Sequence, residues 1–230
     1  MTSPSEPTTE HAPPIPSDSA GLVGRLLDFA DRNDLKWVRD TAEDLEALDL
    51  AVYGAVAGVS TPTLDTALRR LARGADFSKL WFSIAGATAL LGGRRGRQAA
   101  IDGVIAIGIT SFVVNQPLKR LLPRRRPDRE HFEVIAGRRV PLPTSPSFPS
   151  GHSASAFAFA NAMSGELTWV AFPVHFLAGA VAYSRVHTGV HYPGDVLVGA
   201  LLGSAVGDVV GTMRRHRRER QLRAGQYSEV

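Results

Sequence analysis

The sequence predicts an all-α fold, a polytopic membrane helix bundle of about five transmembrane helices with interfacial helices ahead of it. Three observations carry that prediction. Long apolar stretches separate a polar N-terminus from a polar C-terminus, although mean hydropathy over the whole chain is near zero. Short polar turns, basic at residues 93–97 and Ser-Gly-Glu at residues 164–166, punctuate the apolar stretches. In the last stretch Gly199, Gly203, Gly207 and Gly211 recur every fourth residue, a stripe that lets neighbouring membrane helices approach closely.

A chain of 230 residues holds one sizeable domain with tails. Residues 1–45 read as a disordered tail and an amphipathic helix, residues 46–213 as a membrane-embedded domain, and residues 214–230 as a basic cytoplasmic tail. The first 20 residues are rich in Pro, Ser, Thr and Glu and have no apolar period, so they read as disordered. They lack the basic start and apolar core of a cleaved signal peptide. Leu22, Val23, Leu26, Leu27, Phe29 and Ala30 then recur at helical spacing with charges opposite, which suits a helix lying on the membrane surface with Trp37 at the headgroups.

Residues 48–59 are apolar but interrupted by Asp49, and too short for the roughly 20 residues a span needs. With the amphipathic residues 64–71 they are expected to be interfacial or half-inserted. The spans proper are expected at residues 77–93, 98–118, 153–163, 168–184 and 195–213. Asp102 is tolerated near the basic-turn end of the second. The glycine stripe of the fifth is read as packing.

Between the second and third spans, residues 123–148 hold five prolines and no clear period. A loop of this length usually serves a function. Residues 119–139 carry eight Lys or Arg against three Asp or Glu. The loop ends in Pro149-Ser150-Gly151-His152, where Ser150 is a natural N-cap and Gly151 leaves the helix N-terminus open to an anion. Alone, that tetrapeptide is equally well an ordinary helix start.

Its neighbours sharpen the reading. Upstream stand Lys119, six residues, and Arg126-Pro127; downstream stand Ser184-Arg185, five residues, His191, three residues, and Asp195. The ordered pattern K-x6-R-P, P-S-G-H and S-R-x5-H-x3-D resembles the type 2 phosphatidic acid phosphatase family, which includes bacterial lipid phosphatases and vanadium haloperoxidases. The resemblance implies a metal-free phosphatase in which Lys119, Arg126 and Arg185 hold the phosphate oxygens with Ser150 and Gly151. It further implies that His191 attacks phosphorus to form a phosphohistidine, that Asp195 orients it, and that His152 is the general acid.

These roles fit elementary chemistry. Attack on a phosphate monoester needs cations around the oxygens, an activated nucleophile and a proton for the leaving group. Pro193 suits the first turn of a helix, so Asp195 can reach back to His191. His187 is expected to stand behind the site or take no part, and His175 to be packed within a helix. Arg120, Arg124 and Arg125 either recruit an anionic lipid or form a solvated basic loop.

No cofactor is expected, and the absence of cysteine excludes disulfides, thiolate catalysis and zinc-thiolate centres. The expected partners are a lipid phosphate and the bilayer, with no nucleic acid; oligomeric state is open. The tail after Met213 is strongly basic, so the positive-inside rule puts it in the cytoplasm of a multi-pass cell-membrane protein and the motif loops on the extracytoplasmic face. The substrate class is a lipid phosphate or diphosphate such as phosphatidate, phosphatidylglycerol phosphate or a polyprenyl phosphate. Alternatives are a non-catalytic protein that binds or moves lipid phosphates, and a vanadate-dependent haloperoxidase.

Overall fold

The computed structural model describes residues 22–227, so the reading of residues 1–20 as disordered lies outside the described residues. Among the described residues the fold is wholly helical. In chain order it comprises α1 (Leu22–Arg32), α2 (Lys36–Gly58), α3 (Pro62–Gly74), α4 (Lys79–Leu91), α5 (Gly93–Val113), α6 (Lys119–Leu121), α7 (Gly151–Ser164), α8 (Thr168–His187) and α9 (Pro193–Tyr227). A π-helical segment, Val114–Leu118, joins α5 to α6 and contains Pro117, whose missing N–H breaks the regular ladder.

The centre of the bundle is α7. Its residues Ala154, Ala156, Ala158, Ala160 and Ala162 are all fully buried, and beyond its first two residues only the stripe of Phe157, Asn161 and Ser164 is half-buried. Small side chains all round are what an inner helix needs, because α9, α5 and α8 all pack against it. On one side the glycine stripe of α9 meets its backbone: a Cβ at Gly203 would lie 2.1 Å from the Ala154 carbonyl oxygen, and one at Gly207 2.5 Å from that of Ala158. The packing role expected for the stripe is therefore observed. On the other side Phe159 and Met163 join Trp81, Ala99, Ile107 and Val181 in the main apolar core.

Outward faces are apolar where a bilayer would touch them. Leu90, Leu91, Phe112, Trp169, Phe172, Phe176, Leu197 and Leu201 are all exposed. By length and composition two described helical stretches can each cross a membrane, Gly93–Leu121 and Pro193–Gln221, and the bent pair Lys36–Gly58 and Pro62–Gly74 meets the same criterion only when taken together, as a broken span or a re-entrant loop. The other three expected spans are present as helices in the expected order, but α4 has 13 residues and α7 has 14. At a rise of 1.5 Å per residue they reach only about 20 Å, against a hydrocarbon core of about 30 Å. α4 starts at Lys79 because Phe77 and Ser78 adopt left-handed backbone angles that interrupt the helix.

The two segments expected to be interfacial form a bent pair, α2 and α3, turning through 116°. Their inner faces are buried at Tyr53, Ala57, Leu68 and Ala72, while Leu45, Leu48, Val59 and Leu64 point outward. Arg138 from the long loop fastens the bend. It donates to the Val56 carbonyl at 2.9 Å and to that of Val59, and pairs with Asp65 at 3.2 Å.

Nor does α9 end at Met213. It continues as helix through the basic residues, and Arg214 and Arg218 turn inward to the fully buried Asp102 of α5. Arg218 also pairs with Glu166 in the α7–α8 turn. Asp102 is thus the charge partner of the tail, a long-range pairing that no local pattern announces.

Replacing Gly203 by Leu is expected to destabilise the bundle by on the order of 3 kcal/mol, through the clash with α7. Gly179→Leu, where a Cβ meets nothing within 4 Å, is the tolerated control. Thermal unfolding in detergent measures both.

Candidate active site

The four helix ends that carry the motifs converge. Lys119 stands where the π segment passes into α6, Ser150 and Gly151 start α7, Arg185 is near the end of α8, and Asp195 is in the first turn of α9. A direct link locks two of them, since the Ser150 N–H donates to the Asp195 carbonyl at 2.9 Å.

A cavity of about 240 Å³ opens among them, lined on its polar side by Lys119, Arg126, Gly151, His152 and His191. Ser111, Asn115, Ser145 and Ser155 add hydroxyls and an amide, while Ala75, Phe77 and Trp81 form an apolar wall. The cations here are held by neutral oxygens. Lys119 Nζ donates to Ser145 Oγ at 3.1 Å, and Arg126 donates to the carbonyls of Ser145 at 3.0 Å and Val190 at 2.7 Å. Positive charge fixed in place by neutral acceptors is an electrostatic arrangement that accepts an anion.

His191 is buried, with its Nδ1 3.3 Å from Asp195 Oδ2 and 3.3 Å from Ser147 Oγ. Its Nε2 faces the other way, 3.4 Å from Arg126 Nη1. A proton on Nδ1 satisfies the carboxylate side and leaves the Nε2 lone pair on the cavity side. Burial pushes the His191 imidazole down to about 4 from its ordinary 6.5; the Asp195 hydrogen bond and charge oppose that shift, and Arg126 and Arg185 add to it. The ring is neutral near pH 7 and able to act as a nucleophile.

Asp195 is fully buried and accepts four contacts: from His191, the Ser147 hydroxyl, the Tyr192 N–H at 3.0 Å and Arg124 at 3.0 Å. Arg124 lies over the Tyr192 ring and also pairs with Asp49 of α2 at 2.8 Å. Arg124 is not the solvated charge of a basic loop: its guanidinium is largely buried and links α2 to the His191–Asp195 pair. Ser147 and Ser145 lie outside the motifs, and the Pro- and Ser-rich run ahead of Pro149 is the signal in the sequence that marks them.

Ser150 is the N-cap of α7, accepting from Ser153, and is fully buried. Its hydroxyl accepts both of these contacts and keeps its own O–H as a donor, and it also organises the helix N-terminus. Arg185 is also buried, donating to the Ala72 carbonyl at 3.2 Å and lying 3.8 Å from Asp76. His152 Nε2 meets the same Asp76 at 3.0 Å. Asp76 was not foreseen, since it precedes the first motif by 43 positions in an otherwise unremarked turn.

The other histidines take the places expected of them. His187 is buried behind the site against Asp65 at 2.8 Å, and His175 is packed between the Ala171 carbonyl and Asn161. Among the described residues no group of three or more His, Asp or Glu side chains could hold a metal ion.

Comparison with known proteins agrees with this geometry. The PAP2 superfamily model matches residues 100–219. A decaprenylphosphoryl-5-phosphoribose phosphatase of Mycobacterium tuberculosis is 36% identical over 177 residues, covering 76% of this chain and 94% of that protein. The crystal structure of Aquifex aeolicus LpxE superposes with a TM-score of 0.56 at 28% identity, over 71% of this chain and 94% of that one. The transmembrane PAP2-type phosphatidylglycerolphosphate phosphatase of Bacillus subtilis gives 0.59 at 23% identity, over 75% and 87% of the two chains, and shares the fold. With the matched segment running from α5 to α9 and enclosing every motif residue, the chain belongs to the PAP2 superfamily.

Proposed function

We propose that this chain is an integral-membrane phosphatase that hydrolyses a lipid phosphate or diphosphate through a phosphohistidine on His191. The observation that carries the proposal is the His191 ring, held by Asp195 on one nitrogen and opening with the other onto a cavity lined by Lys119, Arg126 and His152. The chain's catalytic unit is residues 46–213, with residues 214–230 as a basic cytoplasmic extension.

The phosphate enters with its nonbridging oxygens toward Lys119, Arg126, Arg185 and the N–H groups at the start of α7. His191 Nε2 attacks phosphorus, the bond to the lipid oxygen breaks, and that oxygen takes a proton from His152. Asp195 stabilises the positive ring that results. Water then gives a proton to His152 and attacks the phosphohistidine, releasing inorganic phosphate. Charge stabilisation comes from the cations, so no metal is required. A purely binding protein would not need a second histidine and an oriented nucleophile, and the proposal favours hydrolysis for that reason.

Relatives named as phosphatases of decaprenylphosphoryl-5-phosphoribose and of undecaprenyl diphosphate make polyprenyl-linked phosphates the first substrates to test. Phosphate release from a panel of polyprenyl, glycerolipid and lipid A phosphates is expected to single out one class. His191→Ala is expected to lower turnover by at least about a thousandfold with the helical fold retained. Activity is expected to persist in EDTA; loss with recovery on adding Mg²⁺ contradicts the mechanism.

Because the folded ring titrates below the unfolded one, the unfolded chain binds the extra proton between pH 6.5 and about 4. Stability from this group is complete above pH 6.5 and is lost as pH falls toward 4, by on the order of 3 kcal/mol. As pH falls across this range the thermal midpoint of the wild type is expected to drop relative to that of His191→Gln, which has no ring to protonate.

The proposed location is the cell membrane with the cavity on the extracytoplasmic face, supported by the arginines gathered at the opposite end of the bundle. Cysteine at the exposed Gly137 is expected to react with an impermeant thiol reagent on intact cells, and cysteine at the exposed Arg95 only after permeabilisation. The reverse pattern inverts the topology.

A further inference from the structure

The turn that carries Asp76 is unusual on two independent counts. Its next two residues, Phe77 and Ser78, both hold left-handed backbone angles, φ 54° and 58°, without being glycine. Such strain persists only where surrounding structure enforces it, and it gathers at functional sites. The turn also delivers a carboxylate to the one motif histidine that otherwise has no orienting partner: Asp76 Oδ1 lies 3.0 Å from His152 Nε2. Asp76 is not among the residues lining the cavity, whereas its neighbours Ala75, Phe77 and Ser78 are, together with His152.

We propose that Asp76 is the positioning residue for His152, so that the site contains two His–Asp pairs, His191–Asp195 for attack and His152–Asp76 for proton delivery. The inference rests on the phosphatase reading given above and deepens it. Asp76 accepts the Nε2–H of His152, which fixes the ring and leaves Nδ1 for the substrate. With Nε2 carrying its proton, Nδ1 carries one only in the imidazolium. That proton passes to the lipid oxygen as the P–O bond breaks, and Nδ1 regains one from the attacking water in the second step.

The charged groups facing His152 are Asp76 from the turn, Arg185 from α8 and Lys119 from α6. Burial disfavours an imidazolium here most of all and lowers the His152 ring from its ordinary range; Arg185 and Lys119 add to that, and the Asp76 hydrogen bond and charge oppose it, so the carboxylate is the group that sustains the protonated ring during turnover. Asp76 suits that task, since the hydrogen bond from His152 lowers its carboxyl below the usual range; burial opposes this, and Arg185, His152 and Lys79 add to it as charges. The carboxylate is therefore ionised at neutral pH.

The test compares Asp76→Asn, which keeps an acceptor and loses the charge, with Asp76→Glu and His152→Ala. On a lipid phosphate, Asp76→Asn is expected to lower kcat by about ten- to a hundredfold and to move the alkaline limb of the pH profile down by about one unit. Formation of phosphohistidine from an aryl phosphate in a single turnover, whose phenolate leaves without a proton, is expected to change by less than about twofold. Asp76→Glu restores part of the rate, and Asp76→Asn adds nothing to His152→Ala.

Equal loss on both substrates with an unchanged alkaline limb makes Asp76 merely structural and overturns the proposal. Faster turnover and tighter vanadate inhibition in Asp76→Asn also overturn it, by showing that the carboxylate competes with phosphate for Arg185. A fully active His191→Ala refutes the phosphatase mechanism itself, whereas an inactive His191→Ala beside a normal Asp76→Asn refutes only the role of Asp76.

Discussion

A carboxylate with no exposed surface must be compensated where it lies, and Asp195 is compensated by three separate parts of the chain. The loop before α7 supplies Ser147, the start of the same loop supplies Arg124, and the turn before α9 supplies His191 and the Tyr192 N–H. Removing any one leaves the others around an under-satisfied buried charge. The motif loops are therefore fixed relative to one another by a single acceptor, and the proposed nucleophile gets its orientation from the same contact. Arg124 extends that constraint to Asp49, whose carboxylate also accepts the Gly194 N–H at 2.6 Å. The bent α2–α3 pair thus supports the site from behind, although none of its residues lines the cavity.

The opposite end of the bundle solves a similar problem with the signs arranged differently. Asp102, buried in α5, draws Arg214 and Arg218 of α9 inward, so the last helix is tied to the bundle by charge as well as by its glycine stripe. Between these two polar ends α7 is almost entirely alanine, serine and phenylalanine. A thin central helix allows α9 to approach until backbone meets backbone, and that closeness brings the first turn of α9 against the first turn of α7. Packing in the middle thereby sets the geometry at the motif end, where Ser150 and Asp195 share a backbone hydrogen bond.

Helix order and motif membership were legible in the sequence because both are local. Apolar stretches bounded by Gly and Arg announce α4, α5, α7, α8 and α9, and the spacing of His191, Pro193 and Asp195 already brings the carboxylate within reach of the ring. What escaped depends on contacts across long stretches of chain. Arg124 looks like any member of a basic loop until Asp49 and Asp195 are seen on either side of it. Asp76 has no pattern around it, and its partner lies 76 positions away. The short α4 was hidden because periodicity counts Phe77 and Ser78 as apolar-stretch residues, while their backbone angles remove them from the helix. The inward turn of the tail is not legible because nothing near residues 214–218 points to Asp102.

The cavity has two kinds of wall, and the division matches the two ends of a lipid phosphate. Lys119, Arg126, His152 and His191 are among its lining residues, and so are the apolar Ala75, Phe77 and Trp81. A charged headgroup placed against the first set leaves its chain to follow the second, toward α4, whose Phe82, Leu90 and Leu91 are exposed. The polar wall includes the start of α7, whose unpaired N–H groups together with the ordered cations can replace the hydration that a phosphate loses. With apolar residues in the same lining, a substrate on the proposed pathway keeps its tail in an apolar environment while its phosphate is taken out of bulk water. That geometry makes the strained turn at residues 76–78 central to the site: it forms part of the apolar wall through Phe77 and, one residue earlier, holds the carboxylate that meets His152.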